Sequence, residues 1–172
     1  MHHRRIVLPL TLVIGCGHIA LAGLIKPHVF HNVIDLSPQG ATCMNSVALY
    51  KDVLYASATV GGGSAPVLFS IDITNPNDLR YLSSASQGYR AVELKVVDDK
   101  LYVAGWGRFL DVLGISGAGG FTPLGTLWQT SKHSWALDVA NDRAYVAEGD
   151  EVGGGLQIVD ISNPASMRLI SG

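Results

Sequence analysis

Charge is scarce in this 172-residue chain: 15% of its residues are Asp, Glu, Lys or Arg against 48% hydrophobic, and the formal net charge is −2. No run of Lys and Arg follows residue 5, which removes the basic patch a nucleic-acid binder needs to collect phosphates. So apolar a composition also excludes a disordered tail or linker, which stays unfolded because it has too little to bury. Cysteine is down to Cys16 and Cys43, too few for a disulfide framework. No segment beyond the N-terminus keeps a 3.6-residue apolar period, so a helical domain is excluded as well. Catalytic signatures are missing too. There is no G-x-S-x-G and no H-E-x-x-H, and the glycine runs at 61–63 and 153–155 lack the Lys and following helix of a phosphate loop.

What is present begins with Arg4 and Arg5 ahead of an apolar run from Ile6 to Ile25, the layout of an export signal. Two processing sites compete. Val13-Ile14-Gly15-Cys16 resembles a lipobox, in which Cys16 is lipidated, and Ala20-Leu21-Ala22 is an A-x-A site for cleavage after Ala22. Residues 17 to 25 stay mostly apolar where a lipoprotein usually has a polar tether, which slightly favours the second. An uncleaved anchor is also open, since about 20 apolar residues span a bilayer. Either cut leaves Cys43 alone, as a small buried apolar residue; an internal disulfide needs the uncut chain. The expected location is the cell envelope, cell surface or exterior, with membrane contact only through a lipid or N-terminal anchor.

The rest repeats. GGGLQIVDISNP at 153–164 echoes APVLFSIDITNP at 65–76, and self-alignment yields three units in which Tyr55, Tyr102 and Tyr145 keep step, as do Ile73, Ile115 and Ile161. The period, in the forties, is the size of one four-stranded propeller blade. Each unit reads as four short β-branched and aromatic strands. Lys51-Asp52, Asp98-Asp99 and Asn141-Asp142 turn strand one into strand two. Asn75-Pro76 and Asn163-Pro164 suit a type I turn from strand three to strand four, with Asn accepting a backbone bond and Pro presetting φ. The middle unit uses Gly117-Ala118-Gly119-Gly120 instead, which makes the motif a joint rather than a catalytic signature; Asp72 and Asp160, replaced there by Gly114, are structural carboxylates by the same logic.

The fold class expected is therefore all-β: a partial β-propeller of about three four-stranded antiparallel blades preceded by a signal peptide. The layout is a signal peptide or lipoprotein signal at 1–22, a linker or partial first blade at 23–45, and blades at 46–91, 92–135 and 136–172. LQIVDISNP, with its lead-in WALDVANDRAYVAEGD, resembles the LVIVD-repeat family of bacterial β-propellers. The third unit matches closely and the first fairly; the second departs at Gly114 and at the missing Asn-Pro, and NVIDLSP at 32–38 looks like the remnant of a preceding unit. The resemblance implies a secreted or surface propeller with no catalytic motif to carry over, in a family mostly of unknown function.

In a four-stranded meander the turns after strands one and three share one end, and those after strand two share the other with the links between blades. The first end has stereotyped short turns. The second has irregular loops bearing Tyr89, Arg90, Trp106, Arg108, Lys132, His133 and Trp135, where a rigid β scaffold would bind a protein or glycan. Glu148, Asp150 and Glu151 crowd one of its loops, and hard oxygens beside glycines can take calcium, although the spacing fits no EF-hand; no other cofactor is suggested. His28 and His31 lack a third ligand and read as linker. The main expectation is a non-catalytic binding scaffold. The alternatives are a propeller hydrolase or lyase acting on glycans, drawing a carboxylate pair from Asp111, Glu148, Asp150 and Glu93, or a fragment of a longer surface protein. Because closed rings have about four to eight blades, three are expected to self-associate or to need further blades.

Overall fold

The computed structural model describes residues 33–60, 67–106, 108–128, 133–150 and 153–171. The expected export signal, both candidate processing sites, His28, His31, Lys132 and Glu151 lie outside them. Among the described residues, twelve strands form three antiparallel four-stranded sheets, each a meander of consecutive strands. The first holds β1 (Ala41–Tyr50), β2 (Val53–Val60), β3 (Val67–Asp72) and β4 (Arg80–Ser86); the second β5 (Ala91–Val97), β6 (Lys100–Gly105), β7 (Arg108–Ile115) and β8 (Phe121–Leu127); the third β9 (His133–Ala140), β10 (Arg143–Asp150), β11 (Gly153–Asp160) and β12 (Arg168–Ser171). Their first strands, β1, β5 and β9, are successive neighbours, which gives a partial propeller of three blades. Residues 41–45, within the stretch expected to be a linker or partial first blade, belong to β1.

Local chemistry explains the repeat. The hairpins β1–β2, β5–β6 and β9–β10 close with two residues each, since Tyr50 faces Val53, Val97 faces Lys100 and Ala140 faces Arg143. Lys51, Asp98, Asn141 and Asp142 there take positive φ, as tight hairpins of matching twist require and Asn and Asp tolerate best. The amides of Ile73, Ile115 and Ile161 donate to the turn carbonyls of Asp52, Asp99 and Asp142 at 2.9, 2.8 and 3.0 Å. That shared bond fixes the spacing of the isoleucines. The Asn-Pro turns form as expected: Asn75 and Asn163 accept from the amides of Asn77 and Ala165 at 3.0 and 3.1 Å. Asp72 accepts from the amide and hydroxyl of Thr74, and Asp160 from those of Ser162. These bonds hold both carboxyls below the usual range. Asp35 does the same with Ser37 and Pro38 follows in a short 3-10 turn, Ser37–Gln39, so NVIDLSP repeats the local geometry of a strand-three turn.

Alternation then assigns the faces. Tyr55 and Leu68 of the first sheet meet Leu101, Val103, Leu113 and Ile115 of the second. Tyr102, Ala104, Leu110 and Val112, on the other side of the second sheet, meet Ala144, Val146, Val159 and Ile161 of the third. The free side of the first sheet, with Ala58, Phe69 and Ile71, is covered by Leu36 and Ile34.

Candidate functional site

All three tryptophans of the chain stand at one end of the sheets: Trp106 after β6, Trp128 after β8 and Trp135 near the start of β9. It is the end where the strand-two turns and the inter-blade links gather, opposite the tight positive-φ hairpins. Each inner strand carries a bulge there. Register shifts between Met44 and Ser46, Ala91 and Glu93, and opposite Ala147 and Glu148 leave Asn45, Val92 and Trp135 as extra residues. A bulge re-aims the side chain it carries, and Trp135 becomes 49% exposed instead of joining Leu137 in the core.

The indole of Trp135 is held in place. Its Nε1 donates to the Gly149 carbonyl at 3.0 Å, and its ring stands edge-on to Trp106 at 5.6 Å and 81° between centroids and planes. Trp106 stacks on His133 at 4.6 Å and 21°. The Arg90 guanidinium lies 5.1 Å from the Trp106 ring centre, close enough for a cation–π contact, and also reaches Asn45 Oδ1 at 3.4 Å. Trp106 is tied back by its amide, which donates to the Arg90 carbonyl at 2.9 Å. Gly105 makes that approach feasible: a Cβ there would lie 2.2 Å from the Arg90 oxygen. Among the described residues, Asn45 Nδ2, Trp106 Nε1 and His133 Nδ1 are buried without a hydrogen-bond partner, three incompletely bonded polar atoms around one aromatic cluster. Buried polar atoms of this kind are rare in folded proteins.

Of the residues singled out in the sequence, Arg90, Trp106, His133 and Trp135 are thus brought together. Tyr89 is not on the surface with them. It is 6% exposed within the core between the first two sheets, and its hydroxyl donates to Asp111 Oδ2 at 2.7 Å. Arg108 stands at the start of β7. Asn45 went unremarked in the sequence; its signal is its alignment with Trp135 once the bulges are counted.

The candidate carboxylates separate. Asp111 points into the junction of the first and second sheets with Tyr89, whereas Glu148 alternates with Ala144 and Val146 on the side of the third sheet that meets the second. The second sheet lies between them. Glu93, on β5, is partly buried, and that desolvation pushes its carboxyl above the usual range, with Lys95 and Ser46 opposing. Glu148 is 7% exposed, and among the described residues no three His, Cys, Asp or Glu side chains gather as a metal site. A cleft of about 340 Å³ opens beside Asp111, lined also by Gln87, Gly88 and Thr126.

Three sheets stacked face to face, each a four-stranded meander, define a β-propeller-type repeat protein. Residues 132–171 match the LVIVD repeat, so the family that LQIVDISNP resembles is the one to which the third blade's repeat belongs. No curated protein matches the chain. Among solved structures it is similar to two computationally designed proteins. Ika8 shares 17% identity at a TM-score of 0.56, over 76% of this chain and 36% of that one. Ika4 shares 15% at 0.57, over 76% of this chain and 71% of that one. The chain thus spans about a third of Ika8, and the likeness is one of fold.

Proposed function

We propose that this chain is an exported, non-catalytic binding scaffold that takes a glycan on the tryptophan-bearing end of its blades. The observation that carries the reading is the Trp135 platform: a half-exposed indole whose orientation is set by Gly149 and by the Trp106–His133 stack beneath it. A flat, fixed aromatic face suits the apolar side of a pyranose ring, and it loses little side-chain entropy when covered. Arg90, held beside it by the Trp106 ring and Asn45 Oδ1, borders it with a polar group of the kind that sugar hydroxyls require. A protein partner would more usually want a broader apolar patch around such an anchor. The Asp111–Glu148 pair gives catalysis no comparable support, because the two carboxylates face opposite sides of the second sheet and cannot flank one glycosidic bond. Export rests on Arg4, Arg5 and the apolar run behind them; N-terminal mass analysis of the secreted or envelope fraction should find Gly23 or a lipidated Cys16 at the start, and an intact Met1 in the soluble cytoplasm refutes it.

Tryptophan emission reports on the site directly. Titrating the purified chain with a panel of soluble neutral and uronate-containing oligosaccharides should shift the emission for at least one class, and Trp135→Ala should abolish the shift while leaving the unfolding midpoint within a degree or two. Turn-end changes such as Asp52→Ala should leave binding intact. No response across the panel, or an equal loss from both ends, defeats the glycan reading.

A further inference from the structure

Arg90 differs from the cations that brace the blades. Arg80, Lys95, Lys100 and Arg168 each pair with an aspartate. Arg90 is exposed and, among the described residues, meets no carboxylate. Its guanidinium rests against the Trp106 ring. A guanidinium carries five N–H donors, and here only Nη2 reaches a protein acceptor, Asn45 Oδ1 at 3.4 Å. The described carboxylates toward this end are engaged elsewhere: Asp111 accepts from Tyr89, Glu93 is bonded to Ser46, and Glu148 and Asp150 have partners of their own. An arginine steadied by a ring and an amide, with most of its fork still free, suits a planar anion, because the fork meets a carboxylate with two parallel hydrogen bonds.

We infer that the glycan taken by this end is acidic: Arg90 holds the carboxylate of a hexuronate residue while a neighbouring sugar of the same oligosaccharide covers Trp135. The inference rests on the glycan reading and adds the chemical class of the ligand. Trp106 touches both groups, its ring 5.6 Å from that of Trp135 and 5.1 Å from the Arg90 guanidinium carbon. Cation and platform are therefore no further apart than these two contacts, a span that a disaccharide covers. Both are held in place by the protein itself, Trp135 through its bond to the Gly149 carbonyl and the Arg90 main chain through the bond from the Trp106 amide. Such preorganisation lowers the ordering cost of binding. The ring also keeps water from one side of the guanidinium, which strengthens an ion pair relative to a fully solvated one. The formal net charge of −2 supplies no long-range attraction for an anion. The preference for an acid is thus local, and salt screens it over about 10 Å at 0.1 M.

Oligogalacturonates and alginate-derived oligouronates, each compared with its methyl ester, test this through tryptophan emission, since esterification removes the charge and keeps the sugar ring. At low salt at least one acid should bind about tenfold more tightly than its ester. That ratio should shrink as salt is raised from about 0.01 M to about 1 M, and Arg90→Gln should bring it near unity. The first two measurements need only the wild-type chain, so they decide the matter even if the variant folds poorly. Equal binding of acid and ester, a preference indifferent to salt, or one that survives Arg90→Gln overturns the inference; ester binding that Trp135→Ala abolishes would then leave the glycan reading standing. Silence from acids and esters alike overturns both.

Discussion

Changing Tyr55 to Phe removes one oxygen atom and tests whether the blades are joined as the repeat implies. The Tyr55 hydroxyl donates to the Ser116 carbonyl of the next blade at 2.8 Å, while its ring is 0% exposed and meets Phe121 edge-on at 5.3 Å and 79°. Phe keeps the ring, the aromatic contact and nearly all the buried area, so the difference isolates the hydrogen bond. Losing a bond of this kind costs about 0.5–1.5 kcal/mol. The Ser116 carbonyl still accepts from the Gly119 amide at 2.9 Å, which spares it the full penalty of an orphaned acceptor and sets the expectation near 1 kcal/mol. For a domain of this size that is a midpoint shift of about 3–5 °C. Tyr145 is the internal control: it holds the same repeat position but faces no further sheet among the described residues, and in this chain Tyr145→Phe should cost less than about 0.3 kcal/mol. Denaturant unfolding of both variants, followed by dichroism and by tryptophan emission, measures the difference. Equal losses at Tyr55 and Tyr145 would refute the idea that this tyrosine is an inter-blade joint.

Gly105→Ala should be severe, because the new Cβ meets backbone, the Arg90 oxygen at 2.2 Å, and the Tyr89 ring at 2.9 Å; a loss of about 2–3 kcal/mol is expected, together with altered tryptophan emission as the bond from Trp106 to Arg90 breaks. Gly117→Ala, with nothing within 4 Å, should change the midpoint little. On the alkaline side, burial pushes the Tyr55 and Tyr102 hydroxyls above their ordinary value, so their contribution is complete below the unfolded value of about 10 and is lost as pH rises through the folded value. On the acid side, hydrogen bonds hold Asp72, Asp138 and Asp160 low, so stability present above about pH 4 declines as pH falls through their folded values. Melting curves across pH should slope at both ends, and Asp160→Asn should flatten the acid limb; an unchanged limb would show that these exposed carboxylates are spectators.

The blades were legible because short-range chemistry specifies them. Two-residue turns rich in Asp and Asn, isoleucines in step, and Asn-Pro joints each act over a few residues, and each reappears in the structure as a hydrogen bond or a positive φ. Asp72 and Asp160 show it well: a carboxylate two residues before Thr or Ser closes on the amide and hydroxyl of that residue without needing the rest of the fold. The second unit lacks the Asp, and its turn is bonded differently, by the Gly119 and Gly120 amides onto Ser116. What the sequence obscured was the fate of single aromatic residues. Tyr89 stands in a link among loop-like neighbours, and only the close approach at Gly105 and the buried Asp111 reveal that it belongs to the core.

Trp135 shows why the binding end was harder to read than the fold. In the run from Ser134 to Ala140, strict alternation puts Trp135 on the same side as Leu137 and Val139, both of which pack against the second sheet. A side chain on that side would be another buried anchor. The extra residue in β9 breaks the alternation at one point, and a one-residue shift moves a side chain to the other face of a strand. The same shift at Asn45 in β1 turns an amide toward Arg90. A bulge leaves no local signature as strong as Asn-Pro, since it depends on how two strands pair rather than on what one of them contains. It can still be found by aligning the three inner strands from their hairpins backward, where register is certain, instead of from their first apolar residue forward. Counted that way, Asn45, Val92 and Trp135 occupy one column. The platform is therefore a variation at a single repeat position, carried outward by a backbone feature that all three blades share.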